Sequence, residues 1–256
     1  MKKMTMEDLL TWAFTQELPK IGAGYAGSAV AFSNWSAIAD ISALGTMIDR
    51  NPNRYGAIPG YIDEGEPAHD ALLVGEAVRA LAAHGGFEIA DGWNPFPEWS
   101  DPQGLVREEV LRIVQEQRGR SDRLSGAHVV NLVISAAKLR RGPVWQADEP
   151  RTQFMRGSNG KDLWFVTRWG RDRLGQRYSY EDNGCDQKTR KPKKGAYRKY
   201  RLDGSVRGAA LSRLDWQLWQ SALEALHESL RDRLVAHSLF DFYPDRHPWI
   251  RAKTIG

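Results

Sequence analysis

Apolar residues recur at steps of three and four along most of this chain, and one region in its second half instead alternates apolar with polar. Leu9, Leu10, Ala13, Phe14 and Leu18 follow Thr5-Met6-Glu7-Asp8, a start like a capping box with Asp in the fourth place, and Pro19 closes the run. The spacing predicts a helix over about 6–18. Residues 34–48 read as a helix interrupted by Gly45, and 49–66 have the Pro, Gly and Asn content of a loop. Pro67 suits a first helical turn, and the helix it opens runs to Gly85-Gly86. Asp91–Pro102, with three prolines and two tryptophans, is expected to strap irregularly over a core surface. Leu105, Val106, Val110, Ile113 and Val114 mark a helix of about 104–117. Ser125 caps a very apolar helix that Gly142-Pro143 ends. The longest pattern covers Ser205–Ser238, with Leu211, Leu214, Leu218, Ala222, Leu226, Leu230 and Leu234 on one face, widened by Trp216, Trp219 and Leu223.

Between these helices the texture changes. Asp162–Trp169 is β-branched and aromatic, Gln176–Tyr180 alternates, and Gly170–Gly175 is turn-like. Together they predict a β-hairpin, with a third strand near Gln153–Arg156. The resulting expectation is an α+β protein: a mostly helical N-terminal half, then a small antiparallel sheet and a long C-terminal helix. The boundary is expected near 143–150, giving a helical, acidic domain over 1–145 and a basic α+β domain over 146–256.

Composition adds a compartment. No stretch approaches eighteen consecutive apolar residues, so no membrane span is expected. The start, MKKMTMEDLL, lacks the apolar region of a secretory signal, and the single cysteine, Cys185, excludes an internal disulfide and a four-cysteine zinc site. The cytoplasm is the expected location.

Charge adds a partner. The net is only +4, yet residues 1–128 carry 11 Lys and Arg against 18 Asp and Glu, whereas 129–256 carry 25 against 14. A basic half suits a polyanion, and an acidic half suits solvent or a protein partner. The focus is Lys188–Arg201, KTRKPKKGAYRKYR, with eight basic residues and no acid: Lys188, Arg190, Lys191, Lys193, Lys194, Arg198, Lys199 and Arg201. Pro192 and Gly195 exclude a helix there, so the stretch is expected to reach out as a loop or arm. Tyr197 and Tyr200 could stack on bases or anchor the loop to the core, and the hairpin adds Arg168, Arg171, Arg173 and Arg177. These fourteen residues form the candidate nucleic-acid site, with DNA favoured over RNA. Ten tryptophans are expected mostly in the core, with a few beside the basic stretch as possible platforms.

The chemical motifs are thin. Gly22-Ala-Gly-Tyr-Ala-Gly27 follows a helix and a proline instead of a strand, so it reads as a turn and no cofactor is expected. Asp63, Glu64, Glu66, His69 and Asp70 crowd a helix start, where the dipole already favours acids. The helices on either side of RGRSDR do not make a helix-turn-helix, because the break is too long and the second helix too apolar. No Ser-His-Asp order, Walker loop or H-E-x-x-H occurs, and no catalytic or metal-binding residue is assigned. Asp162, Glu181, Asp182 and Lys188 would be the set for a metal-dependent nuclease, the least favoured alternative.

Gly195-Ala-Tyr-Arg-Lys199, Leu202-Asp203, Trp219 and the terminal Pro248-Trp249 give the last hundred or so residues a pattern that resembles uncharacterised proteins of alphaproteobacterial prophages. The resemblance implies no catalytic residue. It implies a phage setting, and with it a nucleic-acid-binding regulator of transcription whose acidic half meets a host protein such as RNA polymerase. The alternative is a non-enzymatic assembly or adaptor protein. Oligomeric state stays open.

Overall fold

A computed structural model describes residues 1–20, 66–83, 88–120 and 123–252. The expectations for 22–27, 34–48, Asp63, Glu64 and Gly85-Gly86 lie outside the described residues, as does almost all of the loop at 49–66.

In chain order the elements are β1 (Lys2–Met4), α1 (Met6–Trp12, continued by a π-turn over Ala13–Glu17), α2 (His69–Ala80, tightening to 3-10 over Leu81–Ala83), α3 (Leu105–Gly119) and α4 (Gly126–Leu139). There follow β2 (Arg151–Phe154), β3 (Trp164–Arg171), β4 (Arg177–Asn183), β5 (Tyr197–Arg198), β6 (Tyr200–Asp203), α5 (Arg207–Leu230), β7 (His237–Leu239) and α6 (Pro248–Ala252). The protein is α+β, and no helix among the described residues is long and apolar enough to cross a membrane.

The chain contacts group into two units that are discontinuous in sequence. One holds residues 1–91, 116–145 and 212–256; the other holds 92–115 and 146–211. This differs from the continuous split at 145/146. The long C-terminal helix belongs mainly with the helical unit, while the 92–115 strap and helix belong with the strands. Charge redistributes accordingly. The strand-containing unit has 18 Lys and Arg against 12 Asp and Glu, and the helical unit has 18 against 20. The positive excess follows the strands, and the helical unit is only slightly acidic.

In the helical unit, Leu9, Leu10, Ala13 and Phe14 of the first helix are buried with Val74 and Val78 of α2, Val129 and Val133 of α4, and Leu223, Leu226 and Leu230 of α5. Local signals set the helix ends. The Thr5 hydroxyl accepts from the Asp8 N–H, Ser125 accepts from the His128 N–H, and Arg140 closes α4 in the left-handed region at φ 52°. The expected long helix stops at Leu230 instead of Ser238. Past it, the buried Asp70 carboxylate accepts the backbone N–H groups of Val235, Ala236 and His237 at 2.9, 2.9 and 3.0 Å, and lies 2.9 Å from His237 Nδ1. This turns the chain into β7, which runs parallel to β1 with Lys2, Lys3 and Met4 opposite His237, Ser238 and Leu239. Asp70 thus sits at a helix start for a tertiary reason, beyond the dipole. The tail is fastened by Trp249, which is 2% exposed and has the Arg213 guanidinium 4.7 Å from its ring centre.

In the second unit the strap is irregular, with Phe96 buried and stacked on Trp99 at 3.9 Å. The hairpin β3–β4 forms in full register, from Phe165 opposite Asn183 to Arg171 opposite Arg177. Its third strand is β5, from the basic stretch. The segment expected in that place, β2, pairs antiparallel with β6 instead, Arg151 opposite Asp203 and Phe154 opposite Tyr200.

Candidate nucleic-acid interface

The hairpin turns at Arg171-Asp172-Arg173-Leu174-Gly175-Gln176. The Asp172 carboxylate accepts the N–H groups of Leu174 (2.9 Å) and Gln176 (2.8 Å), and Gly175 takes φ +79°, which a side chain would strain. Asp172 is therefore spent on the turn, and among the described residues no ion pair forms at Arg171 or Arg173. Every residue from Arg171 to Tyr180 is exposed.

The basic stretch is not a free arm. Cys185 bridges to Pro192, Lys193 N–H donates to the Gly184 carbonyl, and Asp186 N–H donates to the Lys191 carbonyl, which folds the segment into a second, tight loop. Asp186 organises its tip, accepting from the Lys188 N–H, the Thr189 N–H and the Thr189 hydroxyl at 2.9, 2.7 and 3.1 Å. The Thr189 and Lys188 bonds hold the Asp186 carboxyl below its usual pKa. Asn and Asp side chains that bond the backbone ahead of them substitute for the arm that Pro192 and Gly195 suggested.

The structure sorts the fourteen candidates into tied and free. Lys193 Nζ donates to the Asn183 carbonyl at 2.7 Å. Arg198 donates to Asp162 at 2.9 Å and lies 3.7 Å from the Phe154 ring centre. Lys199 pairs with Glu181, which also accepts the Tyr197 hydroxyl at 2.5 Å. That pairing raises the Lys199 pKa, and the bonds from Lys199 and Tyr197 lower that of Glu181. Arg168 pairs with Asp182 at 2.9 Å. Tyr200 stacks on Phe154 at 4.5 Å, so both tyrosines are occupied as anchors. Arg201 lines a cleft with Glu108 and Glu109. Among the described residues, Arg171, Arg173, Lys188, Arg190, Lys191 and Lys194 meet no carboxylate, and Arg177 sits only over the Trp169 ring, at 5.5 Å. These seven cations stand on two exposed tips, the hairpin turn and the second loop.

The expected burial of tryptophan fails at Trp169, which is 65% exposed. Leu174, Tyr178 and Tyr180 are exposed beside it. Sequence reasoning passed over these residues, although the i, i+2 spacing of Tyr178 and Tyr180 put them on one strand face. The nuclease set does not assemble either. Glu181 and Asp182 are neighbours on β4 and so face opposite sides of the sheet, one toward Lys199 and the other toward Arg168. Among the described residues no group of three His, Cys, Asp or Glu is placed to hold a metal ion.

No protein-family model, curated protein or solved structure matches this chain.

Proposed function

We propose that this protein binds nucleic acid, DNA in preference to RNA, through the two basic tips of its strand-containing unit. One observation carries the reading: seven cations without carboxylate partners among the described residues are displayed on two exposed turns, one at each end of β4, while the cations nearer the sheet are neutralised internally. A side chain that is only part of a solvated surface gains from an acid at i±2 or across the strand, as Arg168, Arg198 and Lys199 do. The tips forgo that pairing, which leaves their charge for an external polyanion, where release of counterions drives association. The prophage resemblance extends the proposal to a cytoplasmic regulator of transcription, with the helical unit as the side that meets a protein such as host RNA polymerase. The net charge of that unit, 18 basic against 20 acidic residues, lends the polymerase contact less support than the half-chain count does.

The test is fluorescence anisotropy of purified protein with labelled DNA and RNA across a salt series. A steep fall of affinity with salt is expected. Absence of binding at low salt overturns the proposal.

A further inference from the structure

The hairpin has more structure than a phosphate contact requires. Strand β5 pairs only with Trp164 and Phe165, so from Val166 outward β3 and β4 form a two-stranded ribbon. Six residues, Val166–Arg171, carry it about 20 Å from the sheet at the usual strand rise. A two-stranded ribbon is marginal in water, and this one leaves Trp169 and Leu174 exposed at 65% and 84%. It is stiffened along its own length. Gly170 faces Tyr178, and a Cβ there would stand 3.0–3.2 Å from the tyrosine ring, so the glycine makes the seat for that ring. On the opposite face the Arg177 guanidinium covers Trp169.

We infer that this ribbon enters the major groove of duplex DNA, with Arg171, Arg173 and Arg177 at its tip reaching base edges. The inference rests on the nucleic-acid reading above and specifies its ligand. Two strands about 4.8 Å apart fit a groove about 12 Å wide, which admits a β-ribbon. The deep, narrow major groove of an RNA duplex does not. Arginine's planar fork matches O6 and N7 of guanine, and Arg171 and Arg177 are cross-strand partners whose side chains leave the same face of the ribbon. A single strand is the poorer fit. Stacking of successive bases needs aromatic rings on one open face, whereas Trp169 lies on one side under Arg177 and Tyr178 and Tyr180 lie on the other.

The experiment measures affinity for a mixed-sequence DNA duplex, the same sequence as duplex RNA, and its single strand. Methyl green, which occupies the major groove, and netropsin, which occupies the minor groove, serve as competitors. The intact chain is compared with the R171A/R173A/R177A variant, whose substitutions all lie at exposed positions. The expected result is preference for duplex DNA, displacement by methyl green and not by netropsin, and loss of both affinity and methyl green sensitivity in the variant. The loss should be at least tenfold, given roughly 5- to 150-fold for each arginine–guanine pair. Equal or tighter binding of single strand or duplex RNA, displacement by netropsin alone, or unchanged duplex affinity in the variant overturns the groove assignment and leaves nucleic-acid binding in place. No binding to any of the three overturns both.

Discussion

Changing Lys188, Arg190, Lys191 and Lys194 to glutamine removes four charges that meet no carboxylate among the described residues, and it leaves the loop's own scaffold untouched. That scaffold is Asp186 holding the backbone of residues 188 and 189, with the Cys185–Pro192 bridge behind it. Glutamine keeps an unbranched polar side chain without the charge and demands no more of Arg190, which stands at φ 55°, than arginine does. If the four loop cations sit on phosphates and the three of the hairpin tip displace counterions from within the groove as well, log K should fall against log salt with a slope of about −6, at roughly 0.9 for each cation. Raising salt fourfold then costs the intact protein several thousandfold in affinity, by the same relation. The four-glutamine variant keeps three cations, its slope should shrink to about −2.7, and the same step should cost it only about fortyfold. The matched control is Lys193→Gln with Arg198→Gln and Lys199→Gln, whose charges are held by Asn183, Asp162 and Glu181. Per charge removed, the control should move the slope much less and thermal stability more, since Arg198 also covers Phe154. Salt-dependent anisotropy with circular dichroism melting reads both quantities. A control that flattens the slope as much per charge as the four-residue variant would refute the division into free and tied cations. A variant that binds with an unchanged slope would refute phosphate contact by the loop.

Glu181→Gln should release Lys199 and the Tyr197 hydroxyl and add up to about one unit of salt slope, tightening low-salt binding. Asp70→Asn should cost about 2–3 kcal/mol in denaturant unfolding, because three buried backbone donors lose a charged acceptor. Burial alone would raise the Asp70 pKa, but the hydrogen bonds from Val235, His237 and Ala236 outweigh it and hold the pKa below its ordinary value. Its stabilising contribution is therefore present above the unfolded carboxylate pKa and is lost as pH falls through the lower folded one. An acid unfolding profile should lose that limb in Asp70→Asn. Gly184→Ala would put a Cβ 2.7 Å from the Phe165 backbone and should destabilise the hairpin base by about 1–3 kcal/mol, read as a lower urea midpoint. Ser125→Ala, which removes the cap on α4, should cost about 1 kcal/mol in the same assay.

Much of the local structure is written in adjacent residues. Leu9 to Leu18, Val106 to Val114 and Leu211 to Leu230 announce their helices because the helical period places them on one buried face. Ser125 marks a start, and the β-branched and aromatic run at 164–169, the alternation at 177–180 and the Asp172–Gly175 turn mark the hairpin, since each acts through neighbours along the chain. The presence of a basic site was legible in the same way, from the density of Lys and Arg in 188–201. Its working set was not. Whether a lysine is free depends on which acid lies across a strand, and register brings Glu181 to Lys199 and Asp162 to Arg198 from 18 and 36 residues away. The same holds for the ends of the chain. Nothing local tells the chain before His237–Leu239 to leave the helix; Asp70, more than 160 residues earlier, accepts the backbone donors of Val235, Ala236 and His237, and β1 supplies a parallel partner. Sequence determined the elements and the sign of the surface, because these follow from short-range periodicity and composition. Tertiary structure decided which charges remain for a partner, because pairing across strands is a matter of register and not of order along the chain.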